Sequence, residues 1–167
     1  DEVKLLANPH NGEALIRSLL LSGIAMRENG SSAPASQGEH MIAHLMEMLH
    51  PDLPHSYHGE QIAVTSLTMA KRQRELLDKE TVTVADLAGF ANLPLSLHKQ
   101  AQQQTAQKLA DDNAIELLNQ KLAKEWPMIR EKIAAITLAP ERLEKALTAA
   151  NCPTTPEAIG WAGEEYK

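Results

Sequence analysis

Residues 31–64 read SSAPASQGEHMIAHLMEMLHPDLPHSYHGEQIAV, and they decide the fold. Ser31 to Gln37 is a loop of small residues. Ser36 or a neighbour can start a helix that runs through Leu49, where Pro51 stops it for want of a backbone N–H. HPDLPHSYHG, residues 50–59, is a turn-rich connector. From about Gly59 the next helix runs to Leu77. No pair of alternating runs marks a hairpin here or elsewhere in the chain.

The same reading extends outward. Asn11 can cap a helix whose apolar residues include Ala14, Leu15, Leu19, Ile24 and Met26, and which ends near Asn29-Gly30. LLLSGIAM, residues 19–26, is apolar nearly all round, which predicts a central, buried helix. Downstream, Thr83 caps a short helix at 84–91 and Ser96 caps the next. Residues 97–126 are polar and helical, with a break expected near Asp111-Asp112. Pro127 predicts a kink or a new start. Pro140 suits the first turn of a helix over 140–150, and Thr155 and Pro156 repeat the device in PEAIGW. The expectation is an all-α chain, 1–167, forming a single helical domain with short connections.

Composition agrees. The chain has 167 residues, 43% hydrophobic and 23% charged, as in ordinary globular proteins. Aromatics are only 3%, so a core must use Leu, Ile, Ala, Met and Val, a palette that favours helices. A formal net charge of −6 argues against nucleic acid as a partner, because phosphate grooves need a basic surface. The densest basic run, Lys71-Arg72-Gln73-Arg74, reads as a solvated helix end. The single cysteine, Cys152, excludes an internal disulfide, and no apolar run approaches a membrane span; both fit a cytoplasmic protein. The start is no signal peptide, and a chain that opens without Met on DEVKLLANPHNGEAL suggests a missing beginning.

Five of the seven histidines, His40, His44, His50, His55 and His58, fall within nineteen consecutive positions. His40 and His44 are four apart on one helix face, with Glu47 near it, so both imidazoles can reach one divalent ion. His58 could supply a third ligand from the next helix. An open fourth position would admit water or substrate. The competing reading is a hydrogen-bonded or solvated pair. His50 and His55 flank prolines in the connector and read as solvated; His10 and His98 stand alone. Met41, Met46 and Met48 read as core filler, and Trp126 and Trp161 as packing anchors.

LLLSGIAM, then GSSAPASQGEHMIAHLMEM, then HGEQIAV, and CPTTPEAIGW at the tail together resemble the C-terminal helical domain of the iron-containing alcohol dehydrogenase and dehydroquinate synthase-like superfamily. The sn-glycerol-1-phosphate dehydrogenase branch is the most similar. The resemblance implies one divalent ion (zinc, iron or nickel) held by an acidic residue and two histidines. It maps the two histidine ligands to His40 and His58, and places His44 in the active site beside them. It implies NAD or NADP as cofactor, a small polyol or polyol phosphate as substrate, and a homo-oligomer at full length. The small-residue loop could offer N–H groups to substrate, or be a plain tight turn.

The chain also departs from the pattern. Its eight glycines form no phosphate loop, so NAD or NADP would be bound mainly by an N-terminal domain absent from this chain. No GxGD-like phrase supplies the acidic ligand. Where the branch has an Arg before PAS, this chain has Ser32-Ala33-Pro34-Ala35-Ser36. Two other readings stay open: part of a dehydroquinate synthase-like lyase, or a non-catalytic helical module that binds a partner. Glu39, in GEHMIAH where the lyases show GHT-x-GHA, favours the dehydrogenase.

Overall fold

The computed structural model describes residues 12–83, 112–161 and 166, and all regular structure among them is helical. In chain order these are α1 (Gly12–Asn29), α2 (Gly38–Leu49), α3 (His58–Leu77), α4 (Asp112–Ile136) and α5 (Pro140–Ala149), followed by a 3₁₀ turn at Pro156–Ile159. The expected capping by Asn11 and Ser96, the helix at 84–91 and the break at Asp111 lie outside the described residues. Two compact units result, one of residues 1–74 and 138–167, the other Glu75–Thr137.

In the first unit the central helix is α3, not α1. Gln61, Ala63, Val64, Thr65, Leu67 and Ala70 are all buried, and at the helical repeat they occupy more than half the circumference. The core cluster joins Val64 to Ala43 and Met46 of α2 and to Ile159 and Trp161 of the tail, with Leu53, Ile62 and Tyr166 packed against it. Each large apolar side chain sealed there contributes about 1.5–3 kcal/mol. Lys71, Arg72 and Arg74 are exposed, as a solvated helix end requires, and Arg74 lies 3.6 Å from Glu141.

The burial expected of α1 is overturned. None of its residues is buried, and Leu15, Ile16, Leu19, Leu20, Leu21 and Ile24 are each more than half exposed. An apolar helix can bury whatever face is offered a partner, but its own sequence does not supply that partner.

Proline and glycine mark the boundaries. Pro140 is the first residue of α5, behind Ala139 in an extended conformation. Asn151, with φ 57°, turns the chain out of α5, and the Cys152 N–H returns to the Leu147 carbonyl at 2.9 Å. Thr155 caps the 3₁₀ turn by accepting from the Ala158 N–H at 3.4 Å. Gly160, with φ 79°, ends it, so that the Trp161 N–H reaches the Pro156 carbonyl at 2.9 Å.

In the second unit Pro127 stands inside α4 rather than starting a new helix. The lost backbone bond is local, and the indole of the preceding residue is anchored: buried Trp126 donates from Nε1 to the Lys79 carbonyl at 2.9 Å. No helix among the described residues is long and apolar enough to cross a membrane.

Candidate functional site

The geometry divides the five clustered histidines into two groups. His40, third in α2, and His58, first in α3, face each other with ring centroids 5.2 Å apart and planes inclined at 61°. His44, one turn further along α2, stacks on the same His58 ring at 5.6 Å and 22°. His50 and His55 instead border a separate cavity of about 270 Å³ together with Glu47, Gln61 and Trp161.

Ring orientation separates the two pairings. An imidazole nitrogen directs its lone pair within the ring plane. Two rings on one zinc at ~2.0–2.1 Å and a tetrahedral angle have centres roughly 5 Å apart, in planes that cross. His40 and His58 have that spacing and that crossing. The rings of His44 and His58 are instead stacked face to face, inclined at only 22°. Among the described residues no three of His, Cys, Asp and Glu are grouped as a metal-binding set.

Local structure explains why His40 and His58 meet. α3 begins at His58 because Tyr57 gives its N–H to Glu60 Oε2 at 3.1 Å while its carbonyl accepts the Glu60 and Gln61 N–H groups. α2 starts after Gln37, whose side chain makes no cap bond; the Gln37 N–H donates to Glu39 Oε1 at 2.9 Å. The two helices are tied lower down, where buried Gln61 donates from Nε2 to Glu47 Oε1 at 3.0 Å. Gln61 Oε1 is buried without a partner.

Glu39 and Gln61 were not singled out by histidine spacing. The available signal was position: an acid in the first turn of a helix is held by free backbone N–H groups, and here it also touches the neighbouring ring. Glu39 Oε1 lies 2.9 Å from His40 Nδ1. Burial alone would raise the Glu39 pKa, but the N–H groups of Gln37 and Glu39 and the His40 ring outweigh it and hold its carboxyl below the usual value. His44 Nδ1 lies 3.6 Å from Glu47 Oε2 in an exposed pair of little energetic weight.

The loop before α2 is a tight turn. Ala35 and Ser36 donate their N–H groups to the Ser32 carbonyl, both at 2.9 Å, and Ala33 donates to Ser31 Oγ at 3.3 Å. Those donors are spent within the loop.

Comparison with known proteins bears on part of the chain. It is 45% identical over 56 residues to a glycerol-1-phosphate dehydrogenase (NAD(P)+) of Sulfolobus acidocaldarius, a match covering 34% of this chain and 15% of that protein. The enzyme of the same name from Sulfurisphaera tokodaii gives the same figures. That of Pyrococcus abyssi is 39% identical over 69 residues, 41% of this chain and 19% of its own. The chain thus covers less than a fifth of the length of these relatives. No family model matches the chain. No solved structure matches it. Over part of its length the chain is distantly similar to the glycerol-1-phosphate dehydrogenases of the iron-containing alcohol dehydrogenase and dehydroquinate synthase-like superfamily.

Proposed function

We propose that this chain is the metal-bearing helical domain of a larger NAD(P)-dependent dehydrogenase, one that interconverts sn-glycerol 1-phosphate and dihydroxyacetone phosphate. The observation that carries the reading is the His40–His58 pair, at 5.2 Å and 61°, in a chain partly similar to enzymes of that name. His40 and His58 hold one divalent ion, with zinc, iron and nickel as candidates. The remaining donors come from outside the described residues. An ion held by His40 and His58 would supply polarisation of a substrate hydroxyl or ketone oxygen.

The other parts of the site are this chain's own. α2 and α3 fix the two imidazoles from separate helices, so neither ring orders itself at the expense of the other. His44, 60% exposed in its side chain, would hydrogen-bond a bound polyol. Within the loop at 31–37 the N–H groups of Ala33, Ala35, Ser36 and Gln37 are engaged and are not the donors for a phosphate. A dinucleotide finds no cradle among the described residues, which contain neither strand nor glycine-rich turn. That task belongs to another domain of the longer protein.

The test uses the intact protein with glycerol 1-phosphate and NAD+ or NADP+. Turnover is expected to be lost on chelation and restored by zinc, iron or nickel. His40→Ala and His58→Ala should each abolish most of the activity with little change in helix content. Near-normal turnover in either variant, or after metal removal, overturns the reading.

A further inference from the structure

The carboxylate of Glu39 is engaged by backbone and ring together. It sits beside the ligand helix, and its Oε1 takes two donors: the Gln37 backbone N–H at 2.9 Å and the His40 ring at Nδ1, also at 2.9 Å. Gln37 is the residue immediately before α2, so its N–H direction is set by the helix start rather than by a mobile side chain. Glu39 and His40 are both shielded, with side chains only 22% exposed, so this bond competes little with water. A carboxylate accepts and does not donate. The proton between the two groups therefore resides on the imidazole at Nδ1, which leaves Nε2 as the nitrogen that can offer a lone pair.

We infer that Glu39 is a positioning residue: it locks His40 in the Nδ1–H tautomer and fixes the ring plane, so that Nε2 is presented toward His58 as a metal donor. This rests on the reading of His40 and His58 as ligands and deepens it. A histidine ligand whose other nitrogen donates to a carboxylate has its tautomer fixed and its basicity raised. His44 and His58 serve as the contrast. Among the described residues, the carboxylate beside His44 is that of Glu47, exposed and 3.6 Å away, too long to set a tautomer. The lock also explains why the acid at position 39 is adjacent in sequence to its histidine. A residue in the first helical turn can reach a free N–H of the helix start and the next side chain at once, whereas one deeper in the helix finds those N–H groups already bonded.

The experiment has two arms, both on the intact protein. In the first, the metal-free protein carrying ¹⁵N-labelled histidine is read by long-range ¹H–¹⁵N correlation spectra at neutral pH. The wild type is expected to show His40 as the Nδ1–H tautomer. Glu39→Ala should move it to the Nε2–H form favoured by an unpartnered histidine, with His58 unchanged. In the second arm, zinc affinity is measured by competition with a chelator, and cobalt absorption reports the coordination. Glu39→Ala should bind zinc 10–100-fold more weakly, with helix content retained. Glu39→Gln keeps an acceptor for Gln37 and should fall between wild type and Glu39→Ala.

A wild-type His40 already in the Nε2–H form overturns the inference, whatever the metal does. So does a Glu39→Ala variant that binds zinc as tightly as wild type. A wild type that shows the Nδ1–H tautomer but no zinc affinity sinks the ligand reading, and with it the role assigned to Glu39. The tautomer spectra then distinguish that failure from a failure of the lock itself.

Discussion

At the scale of single residues, spacing and orientation carry different information. Spacing alone puts His40 and His44 together, because residues four apart share a helix face. It says nothing about which way each ring lies. The inclinations of 61° and 22° about His58 distinguish the two pairings, and they arise from contacts between helices that spacing along one helix does not encode. The helix start was legible: Ser36 or a neighbour reads as the starter, and its neighbour Gln37 precedes α2; the acceptor was not, since Glu39 takes the Gln37 N–H. Tyr166 illustrates a residue with no sequence signal at all. Its hydroxyl pairs with Thr68 Oγ1 at 2.8 Å and its ring stacks on Trp161 at 5.7 Å. Burial pushes its phenol up, and the Thr68 bond opposes this without cancelling it. The folded pKa therefore lies above that of the unfolded chain, about 10. Below pH 10 both states keep the proton and Tyr166 contributes its full stability. Above pH 10 the unfolded chain loses its proton first, so stability falls until the folded pKa is passed. Urea midpoints at pH 8 and pH 11 should drop more in the wild type than in Tyr166→Phe. Equal drops would show that Tyr166 titrates alike in both states.

At the scale of elements, the ends of helices were more legible than their surroundings. Pro51, Pro140 and Pro156 each act through a missing N–H, a local property, and the helices stop or start beside them as that property demands. Pro127 differs: of the kink or new start that the same local rule predicts, the new start does not occur, and α4 contains the proline next to the anchored indole of Trp126. Burial is not local. LLLSGIAM carries enough apolar surface for a central helix, but α3 takes that place with a more polar sequence that includes buried Gln61 and Thr65. Thr65 tolerates this because its hydroxyl donates to the Gln61 carbonyl at 3.0 Å within its own helix. A pair of substitutions separates the two helices. Leu67→Ala in α3 removes a side chain that is 2% exposed and should cost about 2–5 kcal/mol. Leu20→Gln in α1, where 63% of the side chain is exposed, should change stability by no more than about 0.5 kcal/mol. Urea unfolding of this chain measures both. A cost for Leu20→Gln near that of Leu67→Ala would mean that α1 is covered.

At the scale of the whole molecule, composition announced an all-helical chain, because a sequence with 3% aromatics has few of the residues that sheets favour. It did not announce two compact units, since both draw on the same Leu, Ala and Met palette. The chain happens to carry one tryptophan in each: Trp161 in the first unit and Trp126 in the second, 2% and 3% exposed. Each is thus a reporter of its own unit, and single-tryptophan variants (Trp126→Phe or Trp161→Phe) make the signals separable. Gly160 provides the perturbation. It holds φ 79°, where an L side chain is strained, and an added Cβ would come within 2.9 Å of Pro54 Cγ. The left-handed conformation alone costs about 1–2 kcal/mol in a non-glycine residue, and the ring of Pro54 has little freedom to retreat. Gly160→Ala should therefore lower the urea midpoint reported by Trp161 clearly, and that reported by Trp126 much less, because Gly160 and Pro54 both belong to the unit of Trp161. If both reporters shift by the same amount, the two units unfold as one cooperative body, and the strain at Gly160 is then felt across the whole chain.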